Sequence, residues 1–96
     1  MGHYRKKPVE VEALPFDGTE ASAVGIVAWA GSNGNTGISY RPFRVGGNGQ
    51  EFALEVTTKE GTMLGTPGDF IIKGTENEFY PCKPEAFWGT YEPVEG

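Results

Sequence analysis

The chain has 96 residues, a net charge of −5 and one cysteine. That length suits one domain with a single modest core. The lone thiol excludes an internal disulfide framework and fits a reducing compartment, and the acidic balance makes nucleic-acid binding an unfavoured class, because phosphate contacts need a basic patch. The fifteen glycines and seven prolines predict many turns rather than long helices.

Residues 1–4 are expected to be a disordered start to a single domain that spans residues 1–96. Arg5, Lys6 and Lys7 form a short basic run ahead of a strand. They read first as a solvated strand end, and second as an anion contact through charge-assisted hydrogen bonds. Val9, Val11 and Ala13 alternate with Glu10 and Glu12, the period-two pattern of a strand with one buried face.

Asp17-Gly18 is a turn, and Thr19 is a good N-cap with Glu20 at the positive end of the dipole. The spacing predicts a helix over residues 20–30, with Val24, Ile26, Val27 and Ala28 covering its apolar surface and Gly31 as its stop. Gly25 inside it is unfavourable by about 1 kcal/mol against Ala, which close packing on the sheet would explain. Trp29 is expected to be core rather than a ligand platform.

After a polar loop at 32–37, residues 38–45 read as a strand that Pro42 confines to an edge. Gly46-Gly47-Asn48-Gly49 is a hairpin turn; without a following helix or a GxxxxGK[ST] context it is not a phosphate cradle. Phe52, Leu54 and Val56 mark a clear strand, Lys59-Glu60-Gly61 a tight turn, and Thr62-Met63-Leu64 the next strand.

Thr66-Pro67-Gly68-Asp69 reads as a type II turn: Pro67 presets the first corner, Gly68 supplies the positive φ, and Asp69 can bind local N–H groups. Phe70-Ile71-Ile72 has no polar interruption and suits a central strand covered on both faces. Phe79 to Cys82 is the return strand, held to an edge by Pro81, and Pro84 opens a short helical turn. The order is β-α-β-β-β-β-β with a last helical turn. The expected fold is α+β: one strongly curled antiparallel sheet of five to six strands, approaching a barrel, with one packed helix.

YRKKPVEVEA at residues 4–13, PGDFIIKG at 67–74, EFYPCKP at 78–84 and TYEPV at 90–94 resemble a group of short phage and prophage proteins. Their pattern is an N-terminal RKKPVxVEA strand and a C-terminal PGDYIIKGxxGEFYPCKPxxFxxTYE segment, similar to what is called the PGDYG family. The chain departs from it at Phe70, where Tyr is usual, and at Asn77, where Gly is usual. The resemblance implies a phage accessory protein acting in the host cytoplasm, and carries no established activity.

The residues offer little for catalysis. Cys82 is the only thiol and His3 the only histidine, so neither a nucleophile–base pair nor a zinc set is spelled out. Glu10 with Glu12, and Glu51 with Glu55, lie on the solvent faces of strands. Asp69 is expected to stabilise its turn. No catalytic residue, metal or cofactor is assigned, and no apolar run approaches the roughly 18 residues of a membrane span. Aromatics cluster near the end of the chain, and exposed aromatics mark interfaces. Phe79, Phe87 and Trp88 are the expected interface contributors, to a homodimer or to a partner. The function expected is a small non-enzymatic protein that binds a host protein. The alternative is an oligomeric sponge for nucleotide-like anions that uses Arg5, Lys6 and Lys7. A Cys-dependent enzyme is the distant third.

Overall fold

The computed structural model describes His3, residues 10–46 and residues 49–94. The elements are β1 (Glu12–Pro15), α1 (Glu20–Ser32), β2 (Ile38–Gly46), β3 (Gly49–Thr58), β4 (Gly61–Gly65), β5 (Phe70–Lys73), β6 (Phe79–Cys82) and α2 (Pro84–Thr90). Every strand pair among the described residues is antiparallel, and the architecture is α+β. Arg5, Lys6, Lys7 and most of residues 1–4 lie outside the described residues.

The strands divide into two three-stranded sheets, β1-β5-β6 and β2-β3-β4, where the sequence suggested one curled sheet. Neither closes on itself. The division follows from the turns. Two tight hairpins join β2, β3 and β4, pairing Gly46 with Gly49 and Thr58 with Gly61. No hairpin joins β4 to β5. Instead the Thr66–Asp69 turn redirects the chain: the Asp69 N–H donates to the Thr66 carbonyl at 3.0 Å, and Gly68 has φ +98°. The end of β1 then captures the turn. The Phe16 N–H donates to the Asp69 carbonyl and the Gly68 N–H to the Phe16 carbonyl, both at 2.8 Å. β5 therefore leaves β4 and pairs with β1, with Leu14 opposite Ile71.

One core lies between the sheets and α1. It contains Phe16, Ala23, Ile26, Ala30, Ile38, Leu54, Val56, Ile71 and Phe79. Full burial of a Phe side chain contributes about 1.5–3 kcal/mol, so Phe16 and Phe79, each 1% exposed, are large contributors. Gly65 lets the sheets approach: a Cβ there would stand 3.3 Å from both Leu54 Cβ and Ile71 Cδ1. Successive strand residues point to opposite faces, so Ile71 faces this core while Ile72, also buried, faces away from it.

Thr19 caps α1, its Oγ1 accepting from the Ser22 N–H at 3.1 Å, while Asp17 Oδ1 accepts from the Thr19 N–H at 2.9 Å. The helix runs through Gly31 to Ser32, and Asn33 closes it. Its buried stripe differs from the expected one. Ala23, Ile26 and Ala30 face the core, whereas Val24 is 48% exposed and Ala28 is exposed too. Positions three and seven residues on from Ala23 share its face, and small alanines let the helix sit close. Gly25 lies on the outer face with nothing within 4 Å of its would-be Cβ, so close packing does not explain it. Trp29 is half-buried, edge-on to Phe79 with ring centroids 5.1 Å apart.

Prolines sit where a missing N–H is tolerated. Pro42 lies on edge strand β2, beside a register shift between Pro42 and Arg44. Pro81 lies on edge strand β6.

Candidate binding site at the C-terminal helix

Lys83 caps the start of α2 with extended backbone, and Pro84 occupies the first turn, where its missing N–H is not needed. The helix then places Phe87 inward and Trp88 outward. Phe87 stacks on Phe70 of β5 with centroids 4.0 Å apart and planes 6° from parallel. Trp88 stands edge-on to both rings, at 5.4 Å from Phe70 and 5.0 Å from Phe87. Tyr91, just past the helix, tilts against Phe87 at 5.3 Å. By strand alternation Phe70 shares a face with Ile72, so this aromatic group covers the face of β5 turned away from the main core.

Beside it opens a cavity of about 510 Å³, lined by Phe70, Phe87, Trp88 and Tyr91 with Glu10 and Glu92 among the remaining wall residues. That volume lies within the usual range of small binding sites. Trp88 is 56% exposed, which leaves much of its indole open to a ligand. The wall is thus largely apolar and aromatic, with two carboxylates near the chain ends that form it. Tyr80 lies on the same face of the sheet. Its hydroxyl is pushed up to about 12, by burial first and then by the Tyr91 hydroxyl beside it.

The interface aromatics named from sequence do not act together. Phe79 is buried in the main core, Phe87 is buried in the stack at 8% exposure, and Trp88 alone of the three is surface-exposed. Phe79 pairs with Lys73 at the end of β5, on the face that meets Leu54 and Val56, and is therefore out of a partner's reach. Sequence reasoning missed Phe70 as a wall residue, along with Glu10 and Glu92, while Tyr91 belongs to the terminal aromatic cluster that it singled out. The signal available was the run of aromatics around α2. The strand pairing that brings Phe70 beneath it is non-local.

Pro67, Gly68 and Asp69 lie at the opposite end of β5 from Lys73, in a polar lock. Asp69 is 2% exposed. Its carboxylate accepts from the Thr66 N–H at 2.9 Å and the Thr66 Oγ1 at 3.3 Å, while Lys83 Nζ donates to Asp69 Oδ1 at 3.1 Å. Cys82 is next to this lock, opposite Phe70. Burial, then the Asp69 carboxylate, push its thiol up. A nucleophilic cysteine needs the reverse, a neighbouring cation that favours thiolate.

Three further acids are committed to cross-strand ion pairs. Glu51 meets Arg44 at 2.5 Å, Glu55 meets Arg41 at 2.6 Å and Glu12 meets Lys73 at 3.4 Å. Among the described residues no group of three His, Cys, Asp or Glu side chains could hold a metal ion, and no helix is long and apolar enough to cross a membrane. No family model matches the chain, and no curated protein or solved structure matches it.

Proposed function

We propose that this is a non-enzymatic binding protein whose α2 cavity receives a Lys- or Arg-bearing segment of a protein partner. The observation that carries the reading is the wall itself: exposed Trp88 and neighbouring aromatics with Glu10 and Glu92 around a cavity of about 510 Å³. A long cationic side chain lays its aliphatic stem on apolar surface and keeps its charged head near carboxylates. A cation over an aromatic face gains further, most over Trp. The net charge of −5 favours approach of a basic partner. The resemblance to the phage group makes a bacterial host protein the source of that partner.

The test is calorimetric titration with a short Arg/Lys-rich peptide and with its citrulline/norleucine counterpart. The basic peptide is expected to bind and the neutral one not. Trp88→Ala should weaken binding about 3- to 30-fold, the range of a partly desolvated cation–aromatic contact, and Glu92→Gln should weaken it in the same direction. Equal affinity for both peptides would remove the charge-based reading. The anion-sponge alternative rests on Arg5, Lys6 and Lys7, which lie outside the described residues, so no observed geometry favours it.

A further inference from the structure

Sheet edges present unpaired N–H and C=O groups, and proteins usually blunt them with charge, proline or bulges. Among the described residues, three of the four edge strands are blunted. β1 carries Glu12 and Pro15, β6 carries Pro81, and β2 carries Arg41, Pro42 and Arg44 with a register shift. β4 has none of these. Its sequence is Gly-Thr-Met-Leu-Gly, and residues 61–64 are all exposed, with Met63 at 42% and Leu64 at 41%.

The hairpin fixes which groups point outward. Thr58 pairs with Gly61 across a two-residue turn, so Thr58–Gly61, Val56–Met63 and Leu54–Gly65 are the pairs that exchange hydrogen bonds. The N–H and C=O groups of Thr62 and Leu64 therefore point away from β3. No backbone partner for them occurs among the described residues.

We infer that the β4 edge is a homodimer interface, with β4 of one copy paired antiparallel to β4 of the second across a two-fold axis at Met63. The occupant follows from the strand's symmetry. Thr62 and Leu64, two apart, are the two outward-bonding residues, so Thr62 of one copy bonds Leu64 of the other and the reverse. Met63 then faces Met63, and Gly61 faces Gly65. Within β4 itself there is no charged side chain to oppose another. The result is a continuous six-stranded sheet. Five residues a side is a small interface, so the dimer is weak and reversible.

The experiment is sedimentation equilibrium of the full chain from low to high micromolar concentration, with two kinds of variant. Leu64→Pro removes one outward N–H while leaving the β3–β4 bonds intact; it is expected to raise the dimer dissociation constant at least tenfold. Met63→Cys in a Cys82→Ser background should crosslink rapidly under mild oxidation, because facing residues in a non-hydrogen-bonded pair lie within disulfide reach. Leu64→Cys in the same background faces Thr62 and should crosslink far more slowly. A monomeric mass at high micromolar concentration overturns the inference. So does a Leu64→Pro protein that folds and still dimerises, or equal crosslinking at positions 63 and 64. If Leu64→Pro fails to fold, the two cysteine variants decide alone.

Discussion

Lys83 reaches back 14 residues to Asp69, with its Nζ 3.1 Å from Oδ1 of a carboxylate that is otherwise sealed from water. The contact ties the start of α2 to the turn that launches β5. These are the two elements that carry Phe87 and Phe70, whose rings stack with centroids 4.0 Å apart. The two partners are unequal, with Lys83 exposed and Asp69 buried. Asp69→Ala should destabilise by about 1–3 kcal/mol, because the Thr66 N–H is left without its acceptor. Lys83→Met should destabilise by an amount of the same order, because a carboxylate that is 2% exposed loses its cation. Urea denaturation of both variants measures the two losses; an unchanged midpoint for Lys83→Met would contradict the tie.

Two glycines with positive φ should respond differently to substitution. Gly68, at φ +98°, has open space around its would-be Cβ. Gly68→Ala then costs only the backbone strain, on the order of 1 kcal/mol. Gly18, at φ +87°, has Pro67 Cγ 2.6 Å from that Cβ position. It is also fastened to β3, where the Phe52 N–H donates to the Gly18 carbonyl at 2.9 Å. Gly18→Ala should cost clearly more than Gly68→Ala, because strain and collision add. Thermal or chemical midpoints of the two variants provide the comparison.

Gly25 lies on the exposed face of α1, where an added methyl group would have nothing within 4 Å. Gly25→Ala should therefore stabilise the protein by about 1 kcal/mol, the propensity difference in a helix interior. A loss of stability would mean that the outer face of α1 touches something in the folded protein.

The α+β class, the six strands and the edge placement of Pro42 and Pro81 are readable from sequence, because proline, glycine and period-two alternation act locally. Asn77, in the β5–β6 turn, has φ +62°, a region Asn tolerates. Its side chain also donates to the Asn33 carbonyl at 2.6 Å, holding the β5–β6 turn to the end of α1. What sequence could not supply was non-local. The split into two sheets depends on Phe16 capturing the Asp69 turn. Hydropathy favours Val24 over Ala23, yet the close approach of α1 requires the smaller residue. The number of aromatics near the chain end does not reveal that Phe79 turns into the core while Trp88 turns out.

Cys82 should behave as a protected structural thiol. Burial and the nearby Asp69 carboxylate both push its pKa up, so the reactive thiolate is scarcer than in a free cysteine at neutral pH. Alkylation of the folded protein should be several-fold slower than of the urea-unfolded chain. The folded rate should climb as pH rises toward and through the raised pKa. A folded thiol that reacts faster than the unfolded one would return Cys82 to consideration as a nucleophile.

The α2 cavity is tested most directly by the two indole N–H resonances of Trp29 and Trp88 during titration with the Arg/Lys-rich peptide. Trp29 packs on Phe79 beside the main core, whereas Trp88 lines the cavity. The Trp88 resonance should shift saturably while that of Trp29 stays in place, and the citrulline/norleucine peptide should move neither. A Trp88 resonance that stays fixed up to millimolar peptide, or moves equally with the neutral peptide, would contradict a cation-receiving site at α2.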